Sequence, residues 1–153
     1  MANEAKWNVD SYTGVSVLTC AHINTLASAA MSCNSSLISN SSSSAHMYGS
    51  FELLTWITTG TCAPTCLLYA VPSLDLTNPA STQDQQASLL GTFPMSTATS
   101  TAAAAQKRIP LVNVLLPASD FQVCLLNLSG SAFSTAIASN QVRYWAQDVY
   151  LNG

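Results

Sequence analysis

Apolar residues in this chain fall mostly in short runs that alternate, or nearly alternate, with polar ones. That period of two belongs to strands rather than helices. Between positions 47 and 58, Phe51, Leu53, Thr55 and Ile57 share one parity and Tyr48, Leu54 and Trp56 the other, which predicts a strand with two usable faces. Residues 66–71 predict a second strand, closed by Pro72, and residues 89–95 a third, with Pro94 marking an edge or a bulge. Residues 109–116, between Pro110 and Pro117, predict a fourth, and residues 121–128, ended by Ser129-Gly130, a fifth. Residues 142–151 predict a sixth, with Tyr144, Trp145 and Tyr150 as packing residues.

One stretch has helical spacing. Thr19 stands at an N-cap position, and Ile23, Leu26, Ala27 and Ala30 follow at i, i+3, i+4 and i+7, predicting a short helix near residues 20–32. Its face is rich in Ala and Ser, which suits close packing on a flat sheet. Residues 1–14 read as an extended N-terminal arm leading into a short strand at Val15 and Val17, and residues 15–153 as a single domain. Residues 34–44, nearly all Ser and Asn, read as a surface loop, and residues 97–105 as a loop or short helix. Short strands with Pro and Gly punctuation predict an all-β protein, a β-sandwich with one short helix, and jelly-roll topology leads among such sandwiches.

Composition narrows the partners. Charged residues make up 7% of the 153 positions while hydrophobic ones reach 48%, and Ser plus Thr number 37, so solubility rests on hydroxyls and amides. Four basic residues, Lys6, Lys107, Arg108 and Arg143, cannot build a phosphate-neutralising patch on a chain of net charge −3, which excludes nucleic acid as a direct partner. The longest apolar runs are about six residues against the ~20 of a spanning helix, so no membrane partner is expected. The start, Met-Ala-Asn-Glu-Ala-Lys, opens no signal-type apolar stretch and predicts synthesis in a cytoplasm.

Candidate chemistry is thin. Cys62-Ala-Pro-Thr-Cys66 has the spacing of half a zinc site, and Cys20 with His22 is the nearest second pair. The plainer reading makes Cys20, Cys33 and Cys124 small buried hydrophobes and lets Cys62 and Cys66 frame a turn; a structural metal or a Cys62–Cys66 disulfide are the alternatives. His22 and His46 lack the flanking pattern of a catalytic base, and Glu52, Asp75, Asp84, Asp120 and Asp148 sit mostly in turn contexts. No enzyme activity, cofactor or metal is therefore expected. Among the aromatics, Trp7 on a polar arm needs a surface to bury against, often a neighbour's.

Several segments also resemble a known family. Leu67-Leu68-Tyr69-Ala70-Val71-Pro72-Ser73-Leu74-Asp75 is similar to the strand and Pro-Ser-x-Asp-Gly turn of small tailed-bacteriophage virion proteins. Residues 89–95 resemble that family's next strand, and residues 115–123, with Pro117, Asp120 and Phe121, its Leu-Pro-Pro-x-Asp-Phe turn. Asn127, Ser129, Gly130, Ala132 and Phe133, followed by Asn140 and Tyr144, are similar to its C-terminal motif, and Val17-Leu18-Thr19 with Asn24-Thr25-Leu26-Ala27 match the pattern of its helix. The likeness runs in order over residues 15–145. Leu76 and Ala118 depart from it, and the Cys62–Cys66 segment and the serine run have no counterpart. The resemblance implies a non-catalytic head protein, a decoration or cement subunit that binds and stabilises a shell of major capsid protein. Such a subunit is made in the bacterial cytoplasm, resides in the virion, and self-associates, with a homotrimer favoured by the three-fold positions of capsid lattices. The expected contacts are Trp7, Val9 and Tyr12 in the arm and Trp145 and Tyr150 near the C-terminus. A neck, tail or baseplate protein of the same kind of particle, or a carbohydrate-binding adhesion module, are the rival readings.

Overall fold

A computed structural model describes residues 4–9, 14–40, 46–58, 65–72, 87–95, 104–134 and 140–152. Its strands are β1 (Glu4–Val9), β2 (Val15–Leu18), β3 (Met31–Ser32), β4 (Tyr48–Thr58), β5 (Thr65–Pro72), β6 (Ser88–Pro94), β7 (Ala104–Leu115), β8 (Phe121–Leu128) and β9 (Gln141–Asn152), with one helix, α1 (Cys20–Ile23). They form two antiparallel sheets, an all-β sandwich. The first sheet has the order β1-β9-β4-β7, with β2 also on β9; the second has the order β3-β8-β5-β6. Strands 2 and 9, 3 and 8, 4 and 7, and 5 and 6 are antiparallel partners. The chain is thus one long hairpin, nested on itself and wrapped across both sheets.

The alternation read from the sequence is what fills the core. Phe51 and Leu53 of β4, Leu68 and Ala70 of β5, Phe93 of β6, and Phe121, Val123 and Leu125 of β8 are fully buried between the sheets. Tyr144 joins the layers, its ring 5.2 Å from Phe51 on its own sheet and 6.5 Å, edge-on, from Phe121 on the other. Aromatic pairs at such separations add to the burial of their surfaces. The prolines obey sheet logic. Pro110 lies inside β7 and Pro94 ends β6, and both strands are outermost, where a missing N–H costs no ladder bond. In β7 the register against β4 slips by one residue between Gly49 and Phe51, opposite Asn113 at φ 56°, which makes a bulge.

Four expectations change. The helix starts where predicted, with Thr19 as N-cap, but stops after four residues. Thr25 and Ala29 adopt positive φ, 59° and 63°, which no helix accommodates. Residues 29–32 instead run along β8, where Asn127 exchanges backbone hydrogen bonds with Ala29 and Ala30. The Ser- and Asn-rich stretch after position 34 is not a loose loop over its described part. Ser35, Ile38 and Asn40 are buried, and Ile38 bridges to Phe121. Cys33 and Cys124, read as buried hydrophobes, are joined in a disulfide, because the strap formed by residues 29–40 brings them opposite each other with Cα atoms 4.1 Å apart. Within the expected arm, Glu4–Val9 form β1 and pair along β9.

Candidate interaction surfaces

The motif residues prove to be fasteners of the fold. Asn127 is fully buried at the end of β8. Its Nδ2 donates to the carbonyls of Leu26 and Ser131, both at 2.8 Å, and its Oδ1 accepts from the Ser129 N–H at 2.9 Å. The Cys66 thiol also approaches this Oδ1, at 3.7 Å. Gly130 follows at φ 79°, a conformation that favours glycine, and Phe133 returns to the core. Asn140 accepts from the Thr55 hydroxyl at 3.1 Å and donates to Asn24 Oδ1 and the Ser134 carbonyl, each at 2.7 Å. Asp120 accepts from the Asn40 N–H at 2.6 Å and the Ser39 hydroxyl at 3.2 Å. Asn40 in turn donates to the carbonyls of Pro117 and His46. Such side chains satisfy the backbone of turns that no ladder can reach.

Several residues considered for catalysis are likewise tied into the fold. His22 Nδ1 accepts from the Thr19 N–H at 3.4 Å, and the backbone N–H of His46 donates to Asn40 Oδ1 at 2.7 Å. Glu52 faces Arg108 at 3.7 Å across β4 and β7. Asp148 lies on β9, while Cys62, Asp75 and Asp84 fall outside the described residues. Cys20 is half-buried at the start of α1 and Cys66 points into the core. Among the described residues, no three of His, Cys, Asp and Glu come together as metal ligands would, and no helix is long and apolar enough to cross a membrane.

What remains is surface. All four Lys and Arg, with Glu4, Glu52 and Asp148, lie on strands of the first sheet. The second sheet has no charged residue on any of its four strands. Its outward positions form cross-strand rows: Pro94, Thr65 and Leu128; Thr92, Leu67, Leu126 and Met31; Leu89 and Tyr69, whose row ends at Cys124, buried by its disulfide to Cys33. An outward sheet face ordinarily alternates to polar and charged side chains, so a face built from Leu, Tyr, Met and Thr is a departure. Interface centres share this lack of charge. At its β6 edge the face runs into an apolar groove of about 360 Å³, lined mainly by Pro72, Leu89, Leu90, Val114, Leu115 and Pro117. Leu89 is 55% and Leu115 65% exposed on its rim.

The structure also gathers most of the contact residues expected from sequence. β9 pairs with β4 only up to Gln147, while Gln147–Asn152 pairs with β1, making a two-stranded ribbon at that end of the first sheet. Trp7, opposite Val149, and Val9, opposite Gln147, lie on this ribbon, as does Tyr150, opposite Lys6. Trp145 stands at its root, half-buried, where a Cβ on Gly14 would fall 2.5 Å from the indole. Tyr12 lies outside the described residues. The uncharged face was missed in the sequence, although its signal was present: strands 65–72, 88–94 and 121–128 carry no charge. No protein-family model matches the chain. No curated protein matches it significantly either.

Proposed function

We propose that this chain is a structural protein of a tailed-bacteriophage virion, a decoration or cement subunit that binds the shell of major capsid protein and stabilises it. The carrying observation is the segregation of charge: one sheet bears every Lys and Arg, and the other presents an outward face with none. A subunit that spends its working life docked through that face has no use for charge there, since burying an unpaired charge is costly. The motif resemblance over residues 15–145 supports the same reading.

Strand order supports it too. Nested antiparallel pairs wrapped over two sheets, in the orders 2-9-4-7 and 3-8-5-6, are how a jelly roll is wound, and we read the sandwich as one. Jelly rolls recur in viral capsid and lectin domains, although a fold alone does not fix a function. In this account the second sheet meets the shell, and the β1/β9 ribbon, with Trp7, Val9 and Tyr150, laces neighbouring subunits into a symmetric homo-oligomer, a trimer by preference. Several modest faces acting together on one lattice give strong retention through effective concentration. The reading needs no catalytic residue, cofactor, metal, nucleic acid or membrane.

The test is copy number in purified particles, by quantitative mass spectrometry against the major capsid protein. A number commensurate with the capsomers supports the shell reading. A handful of copies per particle points to neck, tail or baseplate, and absence from particles overturns the virion reading. Glycan-array binding by the isolated protein would instead favour an adhesion module.

A further inference from the structure

Residues 29–40 follow β8 from end to end, yet only Met31–Ser32 pair with it as a regular strand. At one end Ala29 and Ala30 bond the backbone of Asn127 at 2.7 and 3.0 Å. At the other, Ile38 and Phe121 exchange bonds of 2.8 and 3.0 Å, and Asn40 is held by Asp120. From Cys33 to Leu37 backbone pairing with β8 lapses. There the Ser35 hydroxyl accepts from the Val123 N–H at 2.8 Å, Gln122 donates to the Ser35 carbonyl at 2.9 Å, and the Ser36 N–H crosses to Val17 of the first sheet at 2.9 Å. Cys33–Cys124 is the covalent member of this middle stretch. Ser and Asn dominate the strap, so little apolar burial holds it down; Ile38 is its one fully apolar anchor, and Leu37 is 40% exposed.

We propose that the Cys33–Cys124 disulfide is a redox-operated latch on this strap: closed, it covers the outer edge of β8; opened, it releases residues 29–40 while the rest of the sandwich stays folded. This is independent of the function proposed above. Cys33 is half-buried and Cys124 almost fully buried, so a small thiolate from solvent meets the Cys33 sulfur first. Attack there forms a mixed disulfide on Cys33 and expels the Cys124 thiolate, which takes a proton from water. A second thiolate then attacks the small-molecule sulfur, freeing Cys33 and leaving a small-molecule disulfide. Two thiols are oxidised and one protein disulfide is reduced. The closing direction is the reverse, with glutathione disulfide as the oxidant. Releasing the strap bares β8's N–H groups at Phe121, Val123 and Asn127, an edge on an uncharged strand that could then pair with another chain.

Hydrogen exchange read by mass spectrometry tests the latch on the oxidised protein, on the same protein with dithiothreitol, and on the C33S/C124S double variant. Peptic mapping without reductant must first yield the Cys33–Cys124 linked peptides; their absence from protein treated with glutathione disulfide overturns the proposal. On reduction, peptides covering 29–40 and 121–127 should exchange roughly tenfold faster or more, while those covering 48–54 and 141–146 keep their protection. Glutathione disulfide should restore protection in the wild type and not in the variant. Unchanged exchange on reduction overturns the latch, and so does uniform loss of protection, which would make the bond a staple of the whole fold. The wild type with and without reductant decides the matter even where the double variant does not fold.

Discussion

Replacing Asn127 by Leu keeps the forked shape of the side chain, at a larger volume, but removes every hydrogen bond it makes. The cost follows from what each partner has left. The Ser129 N–H, on a fully buried residue, loses the acceptor it has in Asn127 Oδ1, and an unpaired buried donor costs about 2 kcal/mol. The Leu26 carbonyl keeps the Phe133 N–H at 3.2 Å, and the Ser131 carbonyl keeps the Ser129 hydroxyl at 3.0 Å, so each loses one bond rather than all. Those two net losses are smaller, about 0.5–1 kcal/mol each, which brings the total to about 3–4 kcal/mol. For a 153-residue chain that corresponds to a fall in Tm of roughly 10 °C. Urea unfolding should show a lowered midpoint with an unchanged m-value, since the surface exposed on unfolding is the same. An Asn127→Leu variant as stable as the wild type would refute the reasoning, because it would mean that Asn127 acts by filling space. Asn127→Asp should be at least as damaging: it keeps the acceptor, loses both donations and places a carboxylate in the core.

Two further outcomes follow from the first sheet. Gly14→Ala places a methyl against the Trp145 indole, and the ring must move; we expect a loss of about 1–2 kcal/mol and a shift in tryptophan emission. Wild-type stability in that variant would contradict the close approach. Deleting residues 1–12 removes β1 from the ribbon but leaves the β2–β9 pairing and the core intact, so the domain should still unfold cooperatively while self-association or shell binding is lost. A truncated protein that still occupies shells fully would remove the ribbon from the account.

The strands were legible where side chains carry the signal. β4, β5, β6, β8 and β9 fall within one or two residues of the apolar runs that predict them, because Val, Leu, Phe and Tyr pack on a pleated surface and Pro or Gly closes each run. β7 starts earlier than its apolar run, at Ala104, since Ala gives no strand signal and its place is set by pairing with Ile57 and Thr58. The strap was not legible. Its serines look like a loop, and they are ordered by bonds to Val123, Gln122 and Asp120, some eighty residues away in sequence. Cys33–Cys124 was hidden for the same reason: five cysteines allow several pairings, and only the strap's register selects this one. Among the expected contacts, Trp7, Val9 and Tyr150 stand out in the sequence only one by one, as aromatic or apolar residues near the termini. That they share a ribbon is a fact of long-range register. The charge-free face needed topology as well, because its rows alternate between strands far apart in the chain.

The central claim is that the uncharged face of the second sheet docks on a protein shell, and one charge placed in it is the most direct test. Thr92 is exposed on β6, in the row with Leu67, Leu126 and Met31, so Thr92→Glu leaves the core untouched. Val112→Glu, at an exposed position on β7 of the other sheet, is its control. Co-sedimentation with shells of major capsid protein should weaken by about tenfold or more for Thr92→Glu, with Tm unchanged, and stay at the wild-type level for Val112→Glu. Full occupancy by the Thr92→Glu protein would contradict the claim.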